Sequence, residues 1–323
     1  MKNWLIEQQI LLSNQIVDNR LPHAILISGV EGAGKSELAQ WLIKILLCQQ
    51  TIKHPETKVL GACGQCKTCQ LYRSQTYPDN ITVNSKTKTI GIDDIRLVSR
   101  FLEKTAHIGI NQTVLIPTAE KMTVAAANAL LKTLEEPTNN SVIVLTTCDA
   151  DNLLPTIISR SRLYTIRPPV GNKLLAGLGI VANKISQNKA DEQFINLTHL
   201  PEMSNQVKQQ EFIEFQKCFF NYLFNHQAKN IKLLAEQPEA LRWLEKILVN
   251  LMRSQHNWAE CDLDDNLRLM FEQKIKPNTL WLIYQEIVKT NKQIKSYSQI
   301  NGVFTMEKLM VDIGNITVSL TDS

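Results

Sequence analysis

The stretch GVEGAGKS, Gly29–Ser36, constrains the fold of this chain more than any other feature of the sequence. Its spacing, G-x-x-x-x-G-K-S, is that of a phosphate-binding loop, in which glycines let backbone N–H groups turn inward around phosphate oxygens. Such a loop joins a buried strand to the N-terminus of a helix, whose partial positive charge favours an anion. The apolar run His23–Ser28 and the helical pattern Glu37–Leu47 flank the loop in that order.

The loop supplies the candidate nucleotide contacts. Lys35 would reach the terminal phosphates of ATP or ADP, and the Ser36 hydroxyl would help to hold magnesium. Three glycines would bring the backbone close to the phosphates: Gly29, Gly32 and Gly34. A chance glycine-rich turn is the alternative interpretation, but the strand before the loop and the helix after it favour nucleotide binding.

The rest of the first half alternates short apolar runs with helical patterns. Continuous apolar strands that alternate with helices predict a parallel sheet covered on both faces, hence an α/β core. Four more runs read as strands: residues 80–83, 113–116, 141–147 and 163–166. After Pro168-Pro169 the strand signals fade. We therefore predict an α/β domain over residues 1–168, a small helical domain over 169–206 and a larger all-helical domain over 207–323.

The residues that follow the predicted strand 113–116 are expected to determine whether bound ATP is hydrolysed. Hydrolysis needs a carboxylate at the end of a strand next to the loop to hold magnesium. The candidate strand ends in Pro117-Thr118, and neither side chain replaces a carboxylate. Glu120 is close by, but we expect it to be a solvated loop residue. The sequence thus predicts nucleotide binding without turnover.

The motif CGQCKTC predicts a metal centre. Cys63, Cys66 and Cys69 are spaced by two residues each, and Cys48 ends the helix after the phosphate loop. Four thiolates form the closed tetrahedral shell of structural zinc. An iron–sulfur cluster is the rival, but its usual run has a fourth cysteine shortly downstream, and residues 71–80 contain none.

Composition indicates an ordinary globular protein, with 44% hydrophobic and 20% charged residues. The net charge of +4 permits a nucleic-acid partner without requiring one. The N-terminus lacks the features of a signal peptide and no apolar run approaches the roughly 20 residues of a membrane span, so a cytoplasmic protein without a membrane partner is expected. We predict that Cys148, Cys218 and Cys261 are small buried residues rather than disulfide partners.

A last candidate lies in the segment Ser159-Arg160-Ser161-Arg162. The planar fork of an arginine suits bidentate contact with a γ-phosphate. Arg160 could instead form a surface salt bridge. The local sequence does not distinguish this role from a phosphate contact.

Together these residues resemble one family, the delta-prime subunits of bacterial DNA polymerase III clamp loaders, which are AAA+ proteins. Five segments carry the resemblance: RLPHAILISG, Cys48 with CGQCKTC, IGIDDIR, AANALLKTLEEP and TIISRSR. It covers the first half of the chain densely. The second half agrees only in its helical character.

The resemblance implies an AAA+ core with a zinc-binding insertion at about residues 48–69, a helical lid and an all-α collar. It implies a hetero-pentamer with motor subunits and a clamp-opening subunit, which loads the sliding clamp onto primed DNA within a bacterial DNA-directed DNA polymerase (nucleotidyltransferase) holoenzyme. Arg160 would be an arginine finger offered in trans, and Thr147 lies near the sensor threonine of ATPase relatives. The family's Ser-Arg-Cys signature reads Ser-Arg-Ser here.

Two alternatives belong to other functional classes. The chain could be an autonomous ATPase motor, which the intact phosphate loop favours and Pro117-Thr118 opposes. It could also be a zinc-dependent nucleic-acid-binding module, although near the cysteine motif only Lys67 and Arg73 are basic.

Overall fold

The computed structural model describes residues 2–83, 89–138, 140–179, 196–197, 205–225, 228–255, 275–296 and 301–319. The chain divides into two compact units, Met1–Pro169 and Val170–Ser323. None of the helices in the described part has both the length and the apolar character that a bilayer crossing requires.

The first unit is built on a five-stranded parallel sheet in the order β4-β5-β6-β1-β7. All residues of the central strands β1, β5 and β6 are buried, whereas the edge strands β4 and β7 are partly exposed. Burial on both faces explains the continuous apolar runs in the sequence. The strands are β1 (Ala24–Ser28), β4 (Asn80–Thr82), β5 (Gln112–Ile116), β6 (Ser141–Thr147) and β7 (Arg162–Thr165). The predicted parallel sheet is confirmed.

Helices cover this sheet and supply its core. Thr123 caps one of them, α5, by accepting a hydrogen bond from the backbone N–H of Ala126. Pro137 follows the end of α5, so residues typical of helix boundaries stand at both ends of this helix. The helices of this unit are α1 (Ile6–Val17), α2 (Lys35–Leu47), α3 (Lys67–Arg73), α4 (Ile92–Leu102), α5 (Val124–Glu135) and α6 (Pro155–Arg160).

A small antiparallel hairpin, β2 (Thr51–Lys53) and β3 (Leu60–Ala62), separates Cys48 from the other three motif cysteines. It has three residues per strand, and those of β2 are exposed, so no apolar run predicted it. The hairpin and α3 form an insertion between α2 and β4 that brings the ends of the cysteine motif together.

The described part of the second unit is helical, as expected. Its core gathers large side chains, among which Trp243, Phe219 and Phe220 are almost completely buried. The helices are α7 (Asn172–Gly177), α8 (Gln206–Asn225), α9 (Ala228–Ala235), α10 (Ala240–Gln255), α11 (Pro277–Ser296) and α12 (Gly302–Ser319). Most of the predicted lid, residues 169–206, lies outside the described residues, and its boundary with the collar stays a prediction.

Candidate functional site

The phosphate loop links β1 to α2 at the edge where the parallel strands end. Two of its glycines are required by the local geometry. A Cβ atom on Gly29 would lie 2.9 Å from the carbonyl oxygen of Ile166, and Gly34 has a φ of +101°, which L side chains rarely adopt. The third, Gly32, also has a positive φ, of 76°. The loop therefore has the strand-loop-helix context that the motif predicts.

The Lys35 side chain folds back across this loop. Its Nζ atom donates hydrogen bonds to the carbonyl oxygens of Gly29, at 2.7 Å, and Val30, at 3.0 Å, and to Sγ of Cys148, at 3.3 Å. The two carbonyl oxygens carry no formal charge. A phosphate oxygen would bind the ammonium more strongly, because it carries a negative charge that attracts the ammonium, whereas a carbonyl oxygen offers only a dipole. Ser36, in the first turn of α2, is exposed.

The N-terminus packs against the same loop, which sequence reasoning missed. The indole Nε1 of Trp4 donates to the carbonyl oxygen of Ala33, at 2.8 Å, and Nζ of Lys2 donates to that of Gly32. Leu5 is fully buried beside Gly34. The apolar pair Trp4-Leu5, which follows three residues from the start of the sequence, was the sequence signal for these contacts.

Pro117-Thr118 stands at the end of β5, as expected, but the expectation for Glu120 is wrong. Glu120 is half-buried rather than solvated. Its Oε1 accepts a hydrogen bond from the backbone N–H of Cys148, at 3.2 Å, and its buried Oε2 has no partner among the described residues. The 3₁₀ turn Ala119–Lys121 causes this, since it folds the chain back toward the end of β6.

Thr147 is the last residue of β6 and pairs in register with Ser28, next to the phosphate loop. It is completely buried. Its hydroxyl donates to the carbonyl oxygen of Asp149, at 2.8 Å, and accepts from the backbone N–H of that residue, at 3.1 Å. The structure thus places Thr147 beside the loop, but its hydroxyl hydrogen is engaged in a local turn.

Cys148 corrects another expectation. It is exposed, not buried, because it follows the end of β6 and lies beside Lys35 at the loop. Cys218 is half-buried and packs against the core of the second unit, and burial raises its pKa. Cys261 lies outside the described residues. The apolar strand before Cys148 suggested burial, but the strand ends one residue too early for that.

The four motif cysteines come together in the insertion. Their sulfur atoms all lie within 4.8 Å of one another, and Sγ of Cys48 is 3.6 Å from Sγ of Cys63. Gly64 has a φ of +72° and makes the turn inside the motif. Backbone N–H groups of Cys63 and Cys66 donate to the sulfurs of Cys48 and Cys63, both at 3.3 Å. Cys69 completes the set, which can hold a metal ion and fits zinc.

The surroundings of these thiols shift the pKa of Cys66 and the pKa of Cys69 in opposite directions. Burial, reinforced by the thiols of Cys66 and Cys48, raises the pKa of Cys69 to about 12. At Cys66 burial acts in the same direction, but hydrogen bonds from the Thr68 hydroxyl and from backbone N–H groups outweigh it and lower the pKa to about 5. A divalent cation favours the ionised form of all four thiols, since thiolates are its ligands.

Arg160, the last residue of α6, forms an ion pair with Glu135, the last residue of α5. Its Nη2 and Nε atoms lie 2.6 Å and 2.7 Å from the same carboxylate oxygen, Oε1. Both side chains are partly exposed, 36% for the arginine and 49% for the glutamate. The surface salt bridge is therefore present, and the pair leaves Arg160 open to solvent. Nothing in the sequence identified Glu135 as its partner.

The fold and these groups define a class of protein. The parallel sheet carries a phosphate loop at the edge where its strands end, which is where open α/β sheets bind ligands. A four-cysteine cluster is inserted after the loop helix, and an arginine is exposed at the end of α6, the last described helix of the unit. The molecule is an α/β protein of the phosphate-loop type with helical additions and an insertion whose four cysteines can hold a metal ion.

Comparison with known proteins identifies the family. The family model described as "DNA polymerase III, delta subunit" matches residues 6–170, just over half of the chain. The chain belongs to this family. It is 28% identical over 314 residues to DNA polymerase III subunit delta' of Escherichia coli (strain K12), covering 90% of this chain and 88% of that protein. The corresponding subunit of Pseudomonas aeruginosa is 42% identical over 140 residues, 43% of this chain and 41% of that one.

Two further similarities are weaker. DNA polymerase III subunit tau/gamma of Haemophilus influenzae is 32% identical over 156 residues, which is 48% of this chain and 22% of that protein. A solved structure of a gamma subunit-related protein from Thermotoga maritima superposes with a TM-score of 0.44 and 19% identity over 96% of this chain and 99% of that one.

Proposed function

We propose that this chain is a clamp-loader subunit of bacterial DNA polymerase III that binds ATP or ADP, does not hydrolyse it, and completes the nucleotide site of a neighbouring subunit with Arg160. One observation carries the proposal: the phosphate loop is intact around Lys35, while Pro117-Thr118 occupies the end of β5. The loop retains what binding requires. The neighbouring strand lacks the carboxylate that would hold magnesium for hydrolysis.

In the proposed site the backbone of the loop cradles the phosphates. Gly29, Gly32 and Gly34 allow the close approach, and Lys35 leaves its carbonyl partners for the β- and γ-phosphates. Ser36 would provide a magnesium ligand. Thr147 would lie beside the γ-phosphate, with its hydroxyl oriented by the Asp149 backbone.

Arg160 is proposed to act outside its own subunit. Its exposure at the end of α6 supports contact with a phosphate held by another chain. An arginine delivered in this way stabilises the charge that develops on the transferred phosphoryl group. The departure from the family signature, Ser161 in place of cysteine, leaves that charge unchanged.

The metal centre is proposed to be structural zinc held by Cys48, Cys63, Cys66 and Cys69. Four protein ligands leave no open position for a catalytic water. Replacing Cys66 with serine should release one equivalent of zinc from the purified chain and lower its melting temperature, while ADP binding persists. Metal analysis that found no zinc in the wild-type chain would contradict this assignment.

The partners follow from the family. We propose a hetero-pentamer in the bacterial cytoplasm with motor subunits and a clamp-opening subunit, joined through the helical collar at residues 207–323. The assembly would load the sliding clamp onto primed DNA. The alternative of a zinc-dependent nucleic-acid-binding module stays a prediction, testable by the salt dependence of DNA binding to the isolated chain.

The first experiment is steady-state ATP hydrolysis by the purified chain with magnesium, compared with Lys35→Ala. We expect the wild-type chain to hydrolyse ATP no faster than the variant. We also expect the wild-type chain, but not the variant, to bind ADP. Turnover that depends on Lys35 would contradict the proposal.

The second candidate function, an autonomous ATPase, is favoured by one observation, the half-buried Glu120 carboxylate beside Cys148. If Lys35-dependent turnover appears, Glu120→Gln tests it directly. Loss of turnover in that variant would make Glu120 the carboxylate of an active site. Retained turnover would exclude it from that role.

A further inference from the structure

Glu135 and Arg160 are each anchored by a buried neighbour. Leu134 precedes Glu135 in α5, Ile157 lies one turn before Arg160 in α6, and both belong to the core of the first unit. The backbone positions of the two charged residues are therefore set by core packing. The ion pair joins two fixed helix ends rather than two mobile loops.

The contacts of Arg160 determine how its guanidinium is oriented. Nε and Nη2, which form one edge of the guanidinium, both donate to Oε1 of Glu135. Nη1 donates to the carbonyl oxygen of Thr156, at 3.3 Å, and to Oγ of Ser159, at 3.4 Å. Every guanidinium nitrogen thus has a partner. An arginine has five N–H groups, and these four contacts leave one of them, on Nη2, without a partner among the described residues. Nη1 and Nη2 form the end of the fork, the edge that can bind a phosphate in a bidentate manner. A phosphate bound there would use the remaining N–H of Nη2 and replace the long contacts of Nη1.

The energetics of the pair favour a role in orientation rather than in stability. Exposed ion pairs contribute about 0–1 kcal/mol to folding. A long arginine side chain, however, loses rotamer freedom when it binds, and fixing it beforehand reduces that loss in the transition state. The carboxylate cannot itself attract a phosphate, because the two carry the same sign of charge. Its useful effect is to hold the guanidinium in place.

From this geometry we propose that Glu135 is a positioning residue: it fixes the Nε edge of Arg160 so that the end of the guanidinium fork faces the phosphate of the neighbouring subunit's nucleotide. The proposal rests on the proposed function of Arg160 and adds a residue to it. Since Glu135 acts only through Arg160, its removal should have no effect once the arginine is gone.

The test is DNA-stimulated ATP hydrolysis by the loader reconstituted from this chain and the other clamp-loader subunits of the same bacterium. Glu135→Ala should lower kcat about tenfold, since small misplacements of a catalytic group are costly, and should leave KM for ATP unchanged. Glu135→Gln keeps an oxygen acceptor at the same place, so its kcat should stay within about threefold of wild type. The matched control is Glu136→Ala, an exposed neighbour that makes no ion pair among the described residues; it should leave kcat unchanged.

A double-mutant cycle separates this role from a structural one. Adding Glu135→Ala to Arg160→Ala should change kcat no further, because the partner through which Glu135 acts is absent. Melting temperatures of the isolated variants should stay close to that of wild type.

Three outcomes would overturn the inference. Unchanged kcat in Glu135→Ala, with a large loss in Arg160→Ala, would reject positioning by Glu135 but keep the arginine role. Faster turnover in Glu135→Ala would mean that the carboxylate competes with the phosphate for Arg160. Unchanged kcat in Arg160→Ala would reject the arginine role in the proposed function, and the inference with it.

Discussion

Lys35 and Arg160 are the two cations that we assign to phosphate groups, and the first unit holds them differently. Lys35 is held by two uncharged carbonyl oxygens and by the sulfur of Cys148. Arg160 is held by a carboxylate. Neutral acceptors are weaker, so Lys35 can move to an incoming phosphate at little cost. Lys35 can therefore reorient toward a phosphate in its own loop, whereas Arg160, assigned to the neighbouring subunit, is kept in a fixed orientation.

The largest effect is expected at Arg160. Arg160→Ala should lower the DNA-stimulated ATPase rate of the assembled loader by roughly 10³-fold, the scale of an arginine finger. The control is Arg162→Ala, which removes an exposed cation two residues away. If Arg160→Ala and Arg162→Ala lowered the rate by the same modest factor, a general electrostatic effect would explain the loss, and the specific role of Arg160 would be rejected.

A smaller effect is expected at Lys35, and in another quantity. Lys35→Ala should weaken ADP binding to the isolated chain by roughly 10- to 100-fold, because charged hydrogen bonds contribute about 1.5–3 kcal/mol. Isothermal titration calorimetry measures this directly. Arg160→Ala should leave this affinity unchanged, since that side chain is assigned to another subunit's nucleotide. A loss in both variants would show that the two cations serve one site.

The N-terminal contact with the loop should contribute less. Trp4→Phe removes the hydrogen bond to the carbonyl oxygen of Ala33 and should lower the free energy of unfolding by about 1 kcal/mol. Urea denaturation followed by circular dichroism would detect it. Trp41→Phe, which removes a comparable indole bond to the carbonyl oxygen of Leu60, is a control distant in sequence from the N-terminus. Nucleotide affinity should respond to the first variant and not to the second.

The smallest effect is expected at Cys148. Its sulfur is one of three hydrogen-bond partners of Lys35 and a weak acceptor, so Cys148→Ala should change ADP affinity by less than about twofold. Equilibrium titration with a fluorescent ADP analogue would check this. A tenfold change in either direction would mean that these partners hold the lysine far more firmly than their chemistry indicates.

Much of the fold was readable from the sequence. The strands β1, β5 and β6 are buried on both faces, which produces unbroken apolar runs, and Thr123 and Pro137 mark the ends of α5. The hairpin β2–β3 was missed because three-residue strands with exposed side chains carry no such signal. The cysteine motif could be predicted because Cys63, Cys66 and Cys69 have the short spacing that is typical of zinc ligands.

By itself the sequence determined the phosphate loop, the parallel sheet, the four-cysteine set and the absence of a carboxylate at Pro117-Thr118. Only the tertiary structure decided the partners of the charged groups. Glu120 accepts a hydrogen bond from Cys148, 28 residues away in the sequence, and Arg160 pairs with Glu135, 25 residues away. Local periodicity reports which face of an element is buried, but such pairs depend on how helix and strand ends are brought together when the sheet assembles.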